Sequence, residues 1–146
     1  MLRHGWLDPG AATGYAILEN DVPVEMGEIP WGTGGEAVWR WLTVYAPDLE
    51  VLGCENYRIR PAPMTKGHAN TWSESHESQI IGGARLAAFV YVKEFVTQEP
   101  SIKPVGYGFA GLKYVKDKKG QHMFDAVAHG AYWWMQVGRK RGQSQA

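Results

Sequence analysis

The chain has 146 residues, 45% of them hydrophobic, and its 15 Lys and Arg balance 15 Asp and Glu. That is the profile of one globular domain with enough apolar mass to fold without disulfide or metal staples. A single cysteine, Cys54, excludes an internal disulfide and makes the reducing cytoplasm the expected compartment. Residues 86–92 form the longest apolar run, too short to span a bilayer, and Arg3 and His4 leave no signal-peptide core, so neither membrane insertion nor secretion is expected.

The zero balance conceals a gradient, with −7 over residues 1–55, +2 over 56–112 and +5 over 113–146. Such a gradient suits a protein that holds metal in an acidic part and a polyanion against a basic one, or simply one with a solvated basic surface. Residues 5–8, 13–18 and 22–29 read as three short strands in a meander, the first turn carried by Pro9-Gly10. Over 34–45, Ala37, Val38, Trp41, Leu42 and Tyr45 share one helical face, and Pro47 ends that helix. Residues 49–54 read as a short buried strand, followed by Glu55 and a long loop. A second helix is expected over 74–96, apolar on nearly all sides. It therefore needs cover from the sheet and from either a second subunit or an overlying helix. Residues 102–106 are a further strand candidate, 121–137 the last helix, and 139–146 a basic tail expected to be flexible. The order β-β-β-α-β-α-β-α predicts an α/β fold: a mixed five-stranded sheet, three antiparallel strands then parallel ones, with helices on both faces.

Acidic groups fall at matching places in this plan. Asp8 stands where the first strand meets Pro9-Gly10, and Glu55 follows the fourth strand in the same way. His122 and Asp125, three apart on the last helix, share a face among Met123, Phe124, Ala126 and Val127. Half-buried carboxylates are costly unless their pKa rises, a basic group pairs with them or a metal ion binds. No Lys or Arg lies close to Asp8, Glu55 or Asp125 in sequence, which favours metal. Carboxylates with one imidazole suit Mg²⁺ or Mn²⁺, and two such ions about 3.5–4 Å apart assist phosphodiester hydrolysis. Asp8, on the most central strand, is the candidate bridging carboxylate; Asp125 gains from the helix dipole. His129, one turn further along, is either a partner behind the ligands or a structural histidine. His68 and His76 make no zinc pattern with the distant Cys54.

Four stretches in this order, Leu7-Asp8-Pro9-Gly10-Ala11-Ala12-Thr13-Gly14-Tyr15-Ala16, Val51-Leu52-Gly53-Cys54-Glu55, Gly82-Gly83-Ala84-Arg85-Leu86 and His122-Met123-Phe124-Asp125-Ala126-Val127-Ala128-His129, resemble the RuvC-type Holliday-junction resolvases of the RNase H-like superfamily. The compact chain resembles the phage-encoded branch. The resemblance implies a crossover junction endodeoxyribonuclease whose catalytic residues Asp8, Glu55, His122 and Asp125 hold two Mg²⁺ or Mn²⁺ ions per active site. It also implies a nuclease domain over 1–138 with a flexible tail over 139–146. A homodimer joined through Ile81, Ala84, Ala88 and Val92 is implied as well, with branched DNA as partner: four-way junctions, forks and flaps. For a phage protein the compartment is the bacterial host cytoplasm. The turn after Asp8 and the segment between Val105 and His122 are shorter than in typical bacterial members, and the loop after Glu55 differs, which bears on junction specificity more than on chemistry.

In that loop Arg58, Arg60 and Lys66 suit phosphate contact, and Tyr57 or Trp72 suit stacking on an unpaired base, unless Trp72 packs beneath its own loop. Lys113, Lys116, Lys118 and Lys119 precede the last helix, placed to hold the cleaved strand or merely solvated. Three other readings stay open. One is a nucleotide-binding domain of the actin and sugar-kinase type, which pairs two domains where this chain holds one. The others are a non-catalytic module that binds branched DNA and an RNA-processing nuclease of the same superfamily.

Overall fold

Alternating apolar side chains along the first thirty residues build the sheet, and the structure, a computed structural model, describes residues 1–56, 75–115 and 119–144. Strand β1 (Arg3–Asp8) pairs antiparallel with β2 (Ala12–Glu19), which pairs antiparallel with β3 (Val22–Pro30). On the other side of β1, strands β4 (Val51–Glu55) and β5 (Glu94–Gln98) add in parallel, giving the order β3-β2-β1-β4-β5. This is the mixed five-stranded sheet expected from the sequence, with β1 at its centre.

Because strand side chains alternate between faces, the sheet carries two cores. Leu7, Ile17, Leu52 and Cys54 pack with Val38, Trp41 and Leu42 of α1 (Glu36–Tyr45) and with Ile80, Ala84 and Ala88 of α2 (His76–Val90). On the opposite face Trp6, Ala16, Leu18 and Val51 meet Ala126, Val127 and Trp133 of α4 (Gln121–Trp133). The same alternation puts Asp8 with Trp6, and Glu55 with Val51, on the α4 side. Between β5 and α4 lies a short helix, α3 (Lys103–Phe109). No helix among the described residues is long and apolar enough to cross a membrane.

Three expectations give way. The helix expected to reach Val96 stops at Val90; Val92 turns the chain with φ 58, the Lys93 N–H donates back to the Ala88 carbonyl at 2.7 Å, and residues 94–98 become β5. An apolar run this short fits either period, and Phe95, Val96 and Thr97 have the aromatic and β-branched character of a strand. The strand expected over 102–106 is instead helical. Pro100 opens a 3₁₀ turn over Pro100–Ile102 and Pro104 the first turn of α3, where a missing N–H costs nothing, whereas within a sheet each would break the ladder. Beyond α4 the chain continues through a π-helical stretch, Trp134–Gly138, into α5 (Arg139–Ser144). Residues 139–144 of the segment expected as a flexible tail are thus helical, and Arg141 Nη2 donates to Glu94 Oε1 at 3.0 Å.

The dimer residues need correction too. Ala84 and Ala88 follow Ile80 at four-residue intervals, and all three are buried against the chain's own sheet. Ile81 is half-buried against the same core. Only Val92 of the four is freely presented, alongside Leu86, Phe89 and Val90, with Phe89 81% and Val92 88% exposed.

Candidate metal centre

β1 and β4 are parallel neighbours with Leu7 opposite Cys54, so Asp8 and Glu55 leave the sheet side by side at the same edge and on the same face. The first turns of α4 pass over that edge. They come this close because position 14 is glycine: a Cβ on Gly14 would lie 1.8 Å from the His122 carbonyl oxygen. The main chain of α4 therefore seats directly on β2, and His122 and Asp125 are carried to the end of β1. His122 Nδ1 donates to Asp8 Oδ2 at 2.7 Å. One ligand atom each from Asp8, His122 and Asp125 all fall within 4.8 Å of one another. Glu55 stands outside this tight trio, next to Asp8.

Two groups join them from α3, which replaces the strand expected over 102–106. Lys103 Nζ lies 3.3 Å from Glu55 Oε1 and 3.3 Å from Asp125 Oδ2. One turn further on, the Tyr107 hydroxyl donates to Asp125 Oδ1 at 2.5 Å. The absence of a sequence-local base, which favoured metal, is thus met by a base from 48 residues beyond Glu55. The available signal was a lysine and a tyrosine four apart behind a helix-opening proline. On the far side of Glu55, His129 Nε2 donates to Oε2 at 3.0 Å.

The electrostatics describe a crowded acidic pocket. Burial pushes the Asp8 carboxyl up to about 8, against the His122 hydrogen bond, and the adjoining Glu55 and Asp125 charges add to the rise. Burial would also raise Glu55, but hydrogen bonds with His129 and Asp8 and the charges of His129 and Lys103 bring it down to about 2. In the metal-free protein the Asp8–Glu55 pair shares a proton, held on Asp8. Burial disfavours the Lys103 ammonium, yet Glu55, Asp125 and Asp8 together raise its pKa. The Asp8 hydrogen bond raises His122 in the same way. The Tyr107 hydroxyl is held neutral by burial and by Asp125. A divalent cation suits this place: the donors are hard oxygens with one imidazole, they converge, and burial together with the neighbouring carboxylates raises the Asp8 carboxyl, a cost that a bound cation would relieve.

Of the residues assigned to DNA, Lys113 and Lys119 are exposed at the approach to α4. Lys113 lines a pocket of about 120 Å³ with Tyr107, Gln121 and Phe124. Tyr57, Arg58, Arg60, Lys66, Trp72, Lys116 and Lys118 lie outside the described residues.

No protein-family model matches the chain, and no curated protein matches it. Solved structures do. RuvC of T. thermophilus in complex with a Holliday junction substrate aligns with a TM-score of 0.60 at 14% identity, over 94% of this chain and 97% of that one. The Thermus thermophilus RuvC structure aligns with a TM-score of 0.54, also at 14% identity, over 93% of this chain and 98% of that one. Near-complete coverage in both directions, with the same mixed sheet and its helices, establishes that the chain has the RuvC-type, RNase H-like fold.

Proposed function

We propose that the chain is a divalent-metal-dependent endonuclease that hydrolyses phosphodiester bonds in branched DNA, four-way junctions foremost. The observation that carries this reading is the convergence of Asp8, Glu55, His122 and Asp125, from two strand ends and one helix, at a single edge of the sheet. The likeness of the whole chain to a RuvC bound to a Holliday junction supports branched DNA as the substrate. When bound, two Mg²⁺ or Mn²⁺ ions activate the attacking water and stabilise the leaving oxygen. Asp8, His122 and Asp125 would hold the first ion, and Asp8 with Glu55 the second. Lys103 draws Glu55 and Asp125 together in the metal-free protein and brings a cation within reach of the scissile phosphate. Tyr107 fixes the orientation of Asp125.

The DNA is held by Lys113 and Lys119 at the approach to α4, with Lys116 and Lys118 between them, and by Arg58, Arg60 and Lys66 on its phosphates, while Tyr57 and Trp72 stack on unpaired bases. Symmetric cutting of a junction requires two active sites. We assign the homodimer contact to the exposed face of α2 and the turn after it, Leu86, Phe89, Val90 and Val92. The protein then acts in the cytoplasm, where its DNA is.

The deciding experiment incubates the protein with end-labelled four-way junction, replication fork and linear duplex, each with Mg²⁺, Mn²⁺ or chelator, beside Asp8→Asn. Metal-dependent paired nicks in the junction, lost in Asp8→Asn, are expected. Binding without cleavage under every condition would replace this reading with the non-catalytic module, and cutting confined to RNA would move it to an RNA-processing nuclease.

A further inference from the structure

The chemistry above leaves a buried polar chain behind Glu55 without a role. His129 has no exposed surface. Its Nε2 lies 3.0 Å from Glu55 Oε2 and its Nδ1 2.8 Å from Gln98 Oε1. Gln98 is the cross-strand partner of Glu55, each being the last residue of its strand. The imidazole is also fixed in plane: the Trp6 indole lies nearly parallel to it, at 12° and 6.3 Å between centroids. Trp6 can lie there because residue 53 is glycine, where a Cβ would meet the Trp6 ring at 2.2 Å. The side chains that end β4 and β5 are thus joined through one imidazole carried by the middle of α4.

We propose that His129 and Gln98 are positioning residues that hold Glu55 by Oε2 alone, leaving Oε1, the oxygen now facing Lys103, as the one presented to a divalent cation. The proposal rests on the metal-centre reading of the site. Turned over about its last side-chain bond, an exchange of two ends that are assigned from the hydrogen-bond network, the Gln98 amide places its NH₂ where Oε1 stands and donates it to Nδ1. That selects the tautomer whose Nε2–H points at Glu55, the arrangement by which partners behind metal ligands fix ligand orientation. A histidine serving only as core filler would be replaceable by an apolar side chain of similar volume at no cost to the site. Here the replacement would free the Glu55 carboxylate to rotate and would leave Oε2 without its donor.

The test measures Mn²⁺ binding by titration calorimetry, without DNA, on the parent protein, His129→Leu, His129→Gln and Gln98→Leu, with thermal unfolding run beside it. The expected result is a 10–100-fold weaker Mn²⁺ affinity in His129→Leu. Recovery to within a few-fold of the parent is expected in His129→Gln, whose amide can donate to Oε2, together with a several-fold loss in Gln98→Leu, which keeps the imidazole but not its anchor. Should His129→Leu fail to fold, Gln98→Leu and His129→Gln carry the comparison. Mn²⁺ affinities within twofold of the parent in Gln98→Leu and His129→Leu would overturn the proposal, whatever the change in unfolding temperature. A parent that binds no Mn²⁺ overturns it together with the metal-centre reading. A parent that binds Mn²⁺ but cuts no junction removes only the nuclease reading, and the affinities still decide the role of His129 and Gln98.

Discussion

His4 provides the sharpest quantitative test of the folded arrangement. It sits at the start of β1 with no exposed surface, ringed by Trp6, Trp133 and Trp134. Both its nitrogens are committed: the Trp6 Nε1–H donates to Nδ1 at 2.8 Å and Nε2–H donates to the Asn20 carbonyl at 2.7 Å. Burial lowers its pKa from 6.5 to about 4, with the Asn20 carbonyl pulling the other way. The folded protein therefore keeps His4 neutral while the unfolded chain takes up a proton below pH 6.5. Stability contributed by the neutral ring is fully present above pH 6.5 and declines as pH falls towards 4. At about 1.4 kcal/mol per pH unit, the loss reaches about 2.5 kcal/mol by pH 4.5 and levels off at about 3 kcal/mol at more acid pH. His4→Leu removes the titration but orphans the Trp6 N–H and the Asn20 carbonyl, a cost of about 1–3 kcal/mol at neutral pH. Urea unfolding of both proteins at pH 7.5, 5.5 and 4.5 separates the effects, because every other acid-sensitive group is common to the two. The parent should lead at pH 7.5, and its lead should shrink by about 2.5 kcal/mol by pH 4.5. A difference that stays constant across that range would refute the neutral, doubly bonded His4.

Asp8→Asn should abolish cleavage while sparing junction binding. In metal-free buffer it should also gain stability over the parent as pH rises from about 4 to 8, since a carboxyl raised to about 8 binds its proton more tightly when folded and loses that advantage as it ionises; a pH-independent difference in unfolding temperature would contradict the buried, proton-sharing pair. Lys103→Met should lower the rate of junction cleavage about 10²–10³-fold without weakening Mn²⁺ binding, measured by single-turnover kinetics and calorimetry, whereas a parallel loss of metal affinity would make Lys103 a structural cation only. Phe89→Asp and Val92→Asp should convert a dimer to monomer by light scattering with little change in unfolding temperature, while Ala88→Asp, which buries a charge in the protomer core, should destabilise the fold by several kcal/mol. Junction affinity should fall with salt at a slope of about −0.9 per neutralised phosphate, and a flat dependence would argue against the lysines before α4 as its grip.

The sheet was readable because its evidence is local. Pro9-Gly10 marks a turn, alternation from Thr13 to Ile29 marks two strands, and the apolar stretch ending at Glu55 has no polar face to spend on solvent. The sequence brings the acidic residues to notice for a related reason, since Asp8 and Glu55 each end a strand, Asp125 lies early in α4, and no neighbour in sequence neutralises them. Lys103, Tyr107 and Gln98 escaped because their roles depend on which way the chain goes after α2. The run from Leu86 to Val96 supports a long helix about as well as a helix, a turn and a strand. Choosing the long helix displaced β5 into the segment that forms α3, and with it the lysine that bridges Glu55 and Asp125. Periodicity also showed that α2 is apolar all round, but not which alanines the sheet would claim. Ala84 and Ala88 went to the core by their register with Ile80, a fact fixed by docking rather than by composition.

The contact between Gly14 and the backbone of His122 bears on how such a site endures change. Where two elements meet through interleaved side chains, altering one residue shifts the spacing and every functional group carried on it. Here no side chain separates α4 from β2 at the point that matters, so the offset between Asp8 and His122 is fixed by the thickness of two main chains. Side-chain changes elsewhere along the α4–β2 contact then leave the spacing at this point unaltered. A chain only 14% identical to its structural neighbours, yet superposable along almost its whole length, is an outcome such a backbone-to-backbone seat permits.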